Sequence, residues 1–96
     1  MALNIRDYAS AVRVSDGAWG TELQAQGLPA GAAPELWNVE NPGAVRAVAD
    51  GYVRSGSDVI LTNTFGANRL ILAAHGLADR AAELGRAGVQ ISRQAA

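Results

Sequence analysis

Two short polar segments contain the residue types that could contact a small ligand. The first, DGAWGT, begins with Asp16 and Gly17, and the second, TNTFGAN, contains Asn63, Thr64 and Phe65. An ionised carboxylate accepts hydrogen bonds from an ammonium or amide group, and hydroxyl and amide side chains can fix the polar end of an amino acid. Phe65 would add an apolar wall, and Gly17 would let the backbone approach the ligand closely. These residue types indicate a binding site for a small polar molecule.

The same residues also have a purely structural interpretation. Asp16-Gly17 is a common turn, Asp16 can cap the helix that TELQAQ indicates, and threonines at strand ends often satisfy backbone groups. The residue chemistry alone leaves both interpretations open. We expect Glu35 and Glu40 to be solvated, although the PELWN segment around Glu35 is more specific than an ordinary loop.

Other kinds of site have little support in the sequence. The glycines of DGAWGT do not form G-x-G-x-x-G, and a glycine-lysine phosphate loop is missing, which argues against a nucleotide site. The chain has no cysteine, so it has no disulfide and no thiolate metal site of its own. Its one histidine, His75, precedes Gly76 at a predicted helix end, where a cation favours the helix dipole. We therefore assign no residue of this chain a catalytic or metal-binding role.

Two predicted strands would position the polar segments. Residues 12–15 alternate between apolar and polar, and residues 59–61 are an unbroken apolar run, which predicts two parallel strands that end at DGAWGT and TNTFGAN. Ligands of α/β folds lie beyond the carboxyl ends of parallel strands, so we expect the two segments to be neighbours. Residues 27–41 are rich in proline and glycine and predict a surface loop, against which Trp19 and Trp37 would pack.

Helices are predicted after each strand. Asn41-Pro42 would start a helix that ends at Gly56. Its apolar stripe comprises Val45, Val48, Ala49, Tyr52 and Val53. Asn68 would cap a short helix over residues 69–75, and Asp79 would cap the last helix. The apolar residues of that last helix are Leu84, Gly88, Ile91 and Ala95. The order is that of two β/α units joined by a right-handed crossover.

Length and charge restrict the possible partners. The chain of 96 residues makes one domain at most, predicted over residues 1–96, and its net charge of −1 gives no electrostatic footprint for nucleic acid or an anionic membrane. We expect a cytoplasmic protein, since the N-terminus lacks the apolar run of a signal peptide and no segment is apolar enough to span a bilayer. Two parallel strands leave both outer edges unpaired, so more of the same polypeptide or further copies of the chain should complete the sheet. The last predicted helix has no end signal, which hints at a cut chain.

Four segments in register resemble the homocysteine S-methyltransferase family. They are DGAWGTELQAQG, PELWNVENP, GYVRSGSDVILTNTFGANR and GVQISRQAA. The family includes betaine–homocysteine methyltransferases and the homocysteine domain of cobalamin-dependent methionine synthase. The resemblance extends from about Val12 onward. It implies a (β/α)8 barrel, which needs about 250 residues, so this chain would be its first two β/α units.

The resemblance also implies what the site residues do. Asp16 and Gly17 match the first-strand motif near homocysteine, and Asn63, Thr64 and Phe65 match the second-strand motif. Their role would be positioning, with homocysteine and a methyl donor as partners of the complete enzyme. In the family, three cysteines near later strands bind a zinc ion that holds homocysteine as a thiolate. Those cysteines have no counterpart here, so zinc is implied only for a complete barrel.

Two positions depart from the family pattern. Trp19 replaces a frequent methionine, and Ala49 stands where histidine is frequent. These departures leave room for a related enzyme that acts on another thiol or on a methylated corrinoid. A second alternative is a non-catalytic quarter-barrel module that self-associates to cover its strand edges.

Overall fold

Helices and loops make up most of the computed structural model, which describes residues 4–96. The α-helices in this range are α1 (Ile5–Tyr8), α2 (Gly20–Ala25), α3 (Trp37–Glu40), α4 (Pro42–Arg54), α5 (Arg69–Ala73) and α6 (Ala81–Ala95). Short 3-10 turns precede α3 and α6, at Pro34–Leu36 and Ala78–Arg80. Among the described residues, no helix is both long and apolar enough to cross a bilayer. The cytoplasmic location stays a prediction.

The two predicted strands do not form. Between residues 4 and 96 the only β pairing outside helices is one isolated parallel bridge, between Ser15 and Val59. The Asp58 amide donates to the Val14 carbonyl at 2.7 Å, and the Asp16 amide donates to the Val59 carbonyl at 3.0 Å. The predicted segments are thus neighbours and parallel, but the β/α units are not confirmed. The reason is physical, because a strand needs partners on its edges and a cover on its face.

The exposure of the apolar residues around this bridge agrees with that reason. Val12 is 92% exposed and Leu61 58% exposed, so the expectation that residues 59–61 are covered on both faces is wrong for the described chain. Apolar side chains in extended segments form stable strands only when a neighbouring layer buries them. Nothing in residues 4–96 supplies that layer here.

The prediction for α4 is confirmed. Pro42 occupies its first position, and Gly56, at φ +98°, follows its end. A left-handed conformation of this kind favours glycine, because it has no Cβ. The helix buries Val45, Val48 and Ala49, whereas Val53 of the predicted stripe is exposed. The Asn41 side chain makes no capping hydrogen bond.

The last two helices differ in how they begin. The Asn68 side chain accepts a hydrogen bond from the Ile71 amide at 2.9 Å, so the predicted cap of α5 is confirmed, although α5 ends at Ala73. The predicted Asp79 cap is wrong, because Asp79 lies inside a 3-10 turn and α6 begins without a side-chain cap. The buried face of α6 consists of Leu84, Gly88 and Ser92.

The predicted loop over residues 27–41 contains helical structure. Pro34 begins a 3-10 turn that continues directly into α3, so the expectation of an irregular loop is wrong for residues 34–40. Proline is favoured at the first position of a helical turn because its missing amide needs no partner there. Trp19 and Trp37, predicted to pack against this loop, pack against an apolar cluster to which the loop contributes Leu28.

Two small apolar clusters hold the helices together. The first contains Leu23, Leu28, Val45 and Val48, with Trp19, Trp37, Tyr52 and Ile91 packed against it. The second contains Ala33, Leu72 and Leu84, with Leu36, Leu77 and Ala81 packed against it.

Candidate functional site

The second polar segment lines a cleft beside the first. The cleft has a volume of about 320 Å³ and is lined by Trp19, Gly20, Pro34, Glu35 and residues 61–65. It thus brings together Asn63, Thr64 and Phe65 of the predicted site. Its walls combine aromatic rings with amide, hydroxyl and carboxylate groups, which is the mixture expected of a small-molecule site.

Asn63 is buried, and both its side-chain amide and its backbone carbonyl form hydrogen bonds. Its Nδ2 donates to the Pro34 carbonyl at 3.0 Å and to Oδ1 of Asn38 at 2.9 Å. In return, Nδ2 of Asn38 donates to the Asn63 carbonyl at 2.8 Å and to the Leu84 carbonyl at 3.0 Å. A buried amide network of this kind fixes side-chain orientation, because every broken bond leaves a desolvated polar group.

The next two residues of the segment are more accessible. The hydroxyl groups of Thr62 and Thr64 lie 2.6 Å apart and share one hydrogen bond. Phe65 is 94% exposed at the rim of the cleft. An exposed phenylalanine at such a rim can cover the apolar part of a ligand.

Glu35 is the unexpected member of this cleft. It is only 5% exposed, so the prediction that it is solvated is wrong, whereas Glu40 is exposed as predicted. Oε2 of Glu35 accepts a hydrogen bond from the Gly66 amide at 3.1 Å. Glu35 and Asn38 are candidate functional residues that the sequence reasoning did not select. The specific PELWN pattern was the available signal for them.

The first polar segment is organised around the Asp16 carboxylate. Oδ2 of Asp16 accepts from Nε1 of Trp19 at 2.7 Å and from the Leu61 amide at 2.8 Å. Asp16 therefore joins the ends of both predicted strands. Asp16 and Gly17 do not line the cleft, which Trp19 and Gly20 reach from this segment instead.

Tyr52 of α4 contacts the first polar segment. Its hydroxyl donates to the Ala18 carbonyl at 2.6 Å, and a Cβ placed on Gly17 would lie 3.0 Å from the same hydroxyl oxygen. Burial raises the pKa of the Tyr52 phenol, and the carboxylates of Glu22 and Asp16 raise it further. The phenol is thus a neutral hydrogen-bond donor at physiological pH.

The residues present do not fit a zinc ion. Within residues 4–96 no three His, Cys, Asp or Glu side chains come together as a metal site, and the whole chain lacks cysteine. Zinc sites are built from thiolate, imidazole and carboxylate ligands held in tetrahedral geometry. We derive no chemical step through a metal from these residues.

Comparison with known proteins gives the chain its relatives. A sequence model of the homocysteine S-methyltransferase family matches residues 13–96. The chain belongs to the homocysteine S-methyltransferase family. The methionine synthase of Mycobacterium tuberculosis is 35% identical over 91 residues, which is 88% of this chain and 8% of that protein. The methionine synthase of Mycobacterium leprae is 33% identical over 98 aligned positions, which is 96% of this chain and 8% of that protein.

The family match covers both polar segments, the PELWN segment, and helices α2 to α6. The chain spans about 8% of the length of the two methionine synthases. All residues that line the cleft lie within the matched range. The assignment of Asp16, Gly17, Asn63, Thr64 and Phe65 to homocysteine stays a prediction.

Proposed function

We propose that this chain forms one wall of the homocysteine site of a methyltransferase. The single observation that carries the proposal is the cleft at the second polar segment, where Asn63, Thr64 and Glu35 present polar groups beside Trp19. In a chain of the homocysteine S-methyltransferase family, a cleft with these groups suits the polar end of an amino acid. The complete enzyme would transfer a methyl group from a donor to the sulfur of homocysteine, giving methionine.

The role of these residues is to position the substrate. Fixed hydrogen-bonding groups lower the entropy cost of bringing two reactants together, and this contribution requires no bond making by the wall itself. Both hydrogens of the Asn63 amide nitrogen are donated within the protein, which holds its Oδ1 in place as the acceptor offered to a ligand. Activation of the thiol belongs to groups that residues 4–96 do not supply.

The proposal includes the (β/α)8 architecture. The parallel bridge between Ser15 and Val59 supports it, as do the exposed apolar side chains beside the bridge. A cleft of about 480 Å³ lined by Tyr8, Val59, Ile60 and Val89 lies next to this edge. Further strands of a barrel would pair with residues 12–15 and 59–61 and cover these side chains.

Calorimetric titration of the chain with homocysteine tests the proposal. We expect saturable binding, and weaker binding of cysteine and of 4-mercaptobutyrate, which lacks the amino group. Thr64→Val should weaken homocysteine binding about fivefold, because a hydroxyl hydrogen bond contributes about 1 kcal/mol. Ser55→Ala, in a separate cleft between α2 and α4, is the matched control and should bind normally.

Two results would count against this function. A heat signal that does not saturate with homocysteine would show that homocysteine is not the ligand. Equal affinities for cysteine and homocysteine would favour an enzyme that acts on another thiol. If the chain binds a corrinoid but does not bind homocysteine, the corrinoid alternative is favoured.

The exposed apolar edge also favours a second candidate, a self-associating module. Val14 is 57% exposed and Val59 40% exposed, beside an unpaired backbone edge. Light scattering on a sizing column separates the two candidates. A discrete folded oligomer that binds no homocysteine would favour the module, whereas a chain that binds homocysteine as a monomer would exclude self-association as its function.

A further inference from the structure

A buried carboxylate lies in an apolar turn. Glu35 stands between Pro34 and Leu36 and is 5% exposed. No ion pair to Glu35 within 4.0 Å occurs among residues 4–96, since the three ion pairs of this range involve other carboxylates. Burying a carboxylate costs several kcal/mol unless hydrogen bonds compensate it. The Gly66 amide, 3.1 Å from Oε2, is the compensating donor in the described chain.

The fold keeps space open for this contact. A Cβ on Gly66 would lie 2.9 Å from Oε1 of Glu35, closer than such atoms approach in proteins. Asn38 of α3, three residues after Glu35, also faces a glycine, since a Cβ on Gly88 would lie 2.7 Å from its Nδ2. Residues three apart share one side of a helical turn, so Glu35 and Asn38 enter the core together. Each of these polar side chains thus meets a glycine.

The loop that Glu35 contacts has few bonds at Phe65 and Gly66 themselves. Its turn is closed by a hydrogen bond from the Ala67 amide to the Thr64 carbonyl at 3.1 Å. Phe65, at the centre of this turn, is 94% exposed and so contributes almost no packing. The Gly66 amide inside the turn is bonded by Glu35 alone among the side chains described. Glu35 therefore supplies the side-chain acceptor that fixes the Phe65-Gly66 part of this loop.

We propose that Glu35 is a positioning residue for the ligand of this cleft. Its carboxylate oxygen fixes the Gly66 amide and thereby the Thr64-Phe65 turn that lines the cleft. The role requires a hydrogen-bond acceptor at this place and does not require a negative charge at the ligand. The inference rests on the proposed function, because the ligand used to test it is homocysteine.

Substitutions at position 35 separate acceptor from charge. Glu35→Gln keeps an oxygen within reach of the Gly66 amide and removes the charge, whereas Glu35→Ala removes both. Glu40→Ala is the matched control, because Glu40 is an exposed glutamate in the same segment. Two readouts are needed for each chain. They are the hydrogen-exchange rate of the Gly66 amide by NMR and the affinity for homocysteine by titration.

The proposal expects a specific pattern. Glu35→Ala should speed exchange at Gly66 about tenfold or more and weaken homocysteine binding about tenfold, since one hydrogen bond to a charged group contributes about 1.5–3 kcal/mol. Glu35→Gln should stay within about threefold of the unaltered chain in both readouts, since it retains the acceptor. Glu40→Ala should change neither. If Glu35→Ala does not fold, Glu35→Met takes its place, because it keeps the length of the side chain and removes the acceptor oxygens.

Three results would overturn the proposal. Unchanged exchange and affinity in Glu35→Ala would show that the contact positions nothing. In Glu35→Gln, lost affinity with Gly66 still protected would show that the negative charge acts on the ligand directly. A Glu35→Gln chain that exchanges as fast as Glu35→Ala would show that an acceptor oxygen is not sufficient. Failure of the unaltered chain to bind homocysteine would instead remove the proposed function and the positioning role with it, while Gly66 protection would still report the contact.

Discussion

The two polar segments end equivalent predicted strands, yet they are held in different ways. Residues 16–21 are organised by their own Asp16, whose carboxylate binds the nearby Trp19 indole and the Leu61 amide. Residues 62–67 are organised by Glu35 and Asn38, which come from a separate turn. The central acceptor of the first segment is thus one of its own side chains, whereas the side chains that fix the second segment come from residues 35 and 38.

The difference teaches where rigidity is placed in this chain. Asn63 of the second segment is buried and fixed through a contact spanning 25 positions of the chain, and Asn38 reaches a further partner 46 positions away. In the first segment no residue is buried: Gly17, Ala18 and Thr21 are exposed, and the other three residues are half-buried. The wall that lines the cleft is thus the one tied to the rest of the fold.

The largest expected effect comes from Asn38. Asn38→Ala removes three buried hydrogen bonds and should lower the free energy of unfolding by about 3 kcal/mol, since each unsatisfied buried group costs about 1–3 kcal/mol. Chemical denaturation followed by circular dichroism measures this loss. Asn41→Ala is the control, because the exposed Asn41 side chain makes no capping bond. Equal effects of the two substitutions would break the distinction between the segments.

Gly88 should come next. Gly88→Ala would place a Cβ 2.9 Å from Cγ2 of Thr64 and 3.0 Å from the Asn63 carbonyl oxygen. Overpacking costs about 1–3 kcal/mol, so we expect a net loss of about 2 kcal/mol in spite of the better helix propensity of alanine. Gly85→Ala in the same helix has its nearest contact at 3.8 Å and should stabilise by up to about 1 kcal/mol. Thermal denaturation of both variants gives the sign, and a stable Gly88→Ala chain would contradict the close packing of α6 on the second segment.

Asp16 tests the first segment in the same way. Asp16→Ala leaves the Trp19 indole and the Leu61 amide without their acceptor, which should cost about 1.5–2 kcal/mol, because both groups keep partial access to water. The fluorescence of Trp19 should change as well, since its indole loses a charged neighbour. Asp79→Ala is the control, with a side chain that is 98% exposed and an ion pair of 3.9 Å. A loss for Asp16→Ala larger than that for Asn38→Ala would reverse the comparison.

Tyr52 should give the smallest effect. Tyr52→Phe removes the hydrogen bond to the Ala18 carbonyl and should cost about 1 kcal/mol. Burial raises the pKa of Tyr52, followed by the effect of Glu22 and Asp16, so the folded chain holds this proton to higher pH than the unfolded chain does. The corresponding stability is complete below a pH of about 10 and is lost as pH rises through the folded pKa. Denaturation at several alkaline pH values should therefore show a steeper loss in the unaltered chain than in Tyr52→Phe, and parallel curves would contradict the raised pKa.

Local features of the sequence predicted α4, α5 and α6 but not α1 or α3. The periodic apolar residues of α4, its Pro42 start and its Gly56 stop all lie within one segment, so the pattern contains the information needed. The Asn68 cap is local in the same sense. Asp79 failed because the chain forms a 3-10 turn there, which no short pattern distinguishes from a helix start.

Features that depend on distant partners could not be predicted. Residues 12–15 and 59–61 have the composition of strands, but their pairing needs neighbours that residues 4–96 do not provide. The burial of Glu35 depends on a glycine 31 positions away, so its charge alone suggested a solvated side chain. The two strand ends were predicted correctly to be neighbours, since the Asp16 carboxylate binds the Leu61 amide, although Asp16 and Gly17 do not line the cleft.

The most direct test of the account is an NMR titration of the isotope-labelled chain with homocysteine, which maps the amides that respond. We expect chemical-shift changes at residues 62–66 and at the Trp19 indole. We expect none at Gly51 and Ser55, which line the separate cleft between α2 and α4. Chemical-shift changes confined to the cleft between α2 and α4, or none at high homocysteine concentration, would contradict the claim that the second polar segment is the ligand-binding wall.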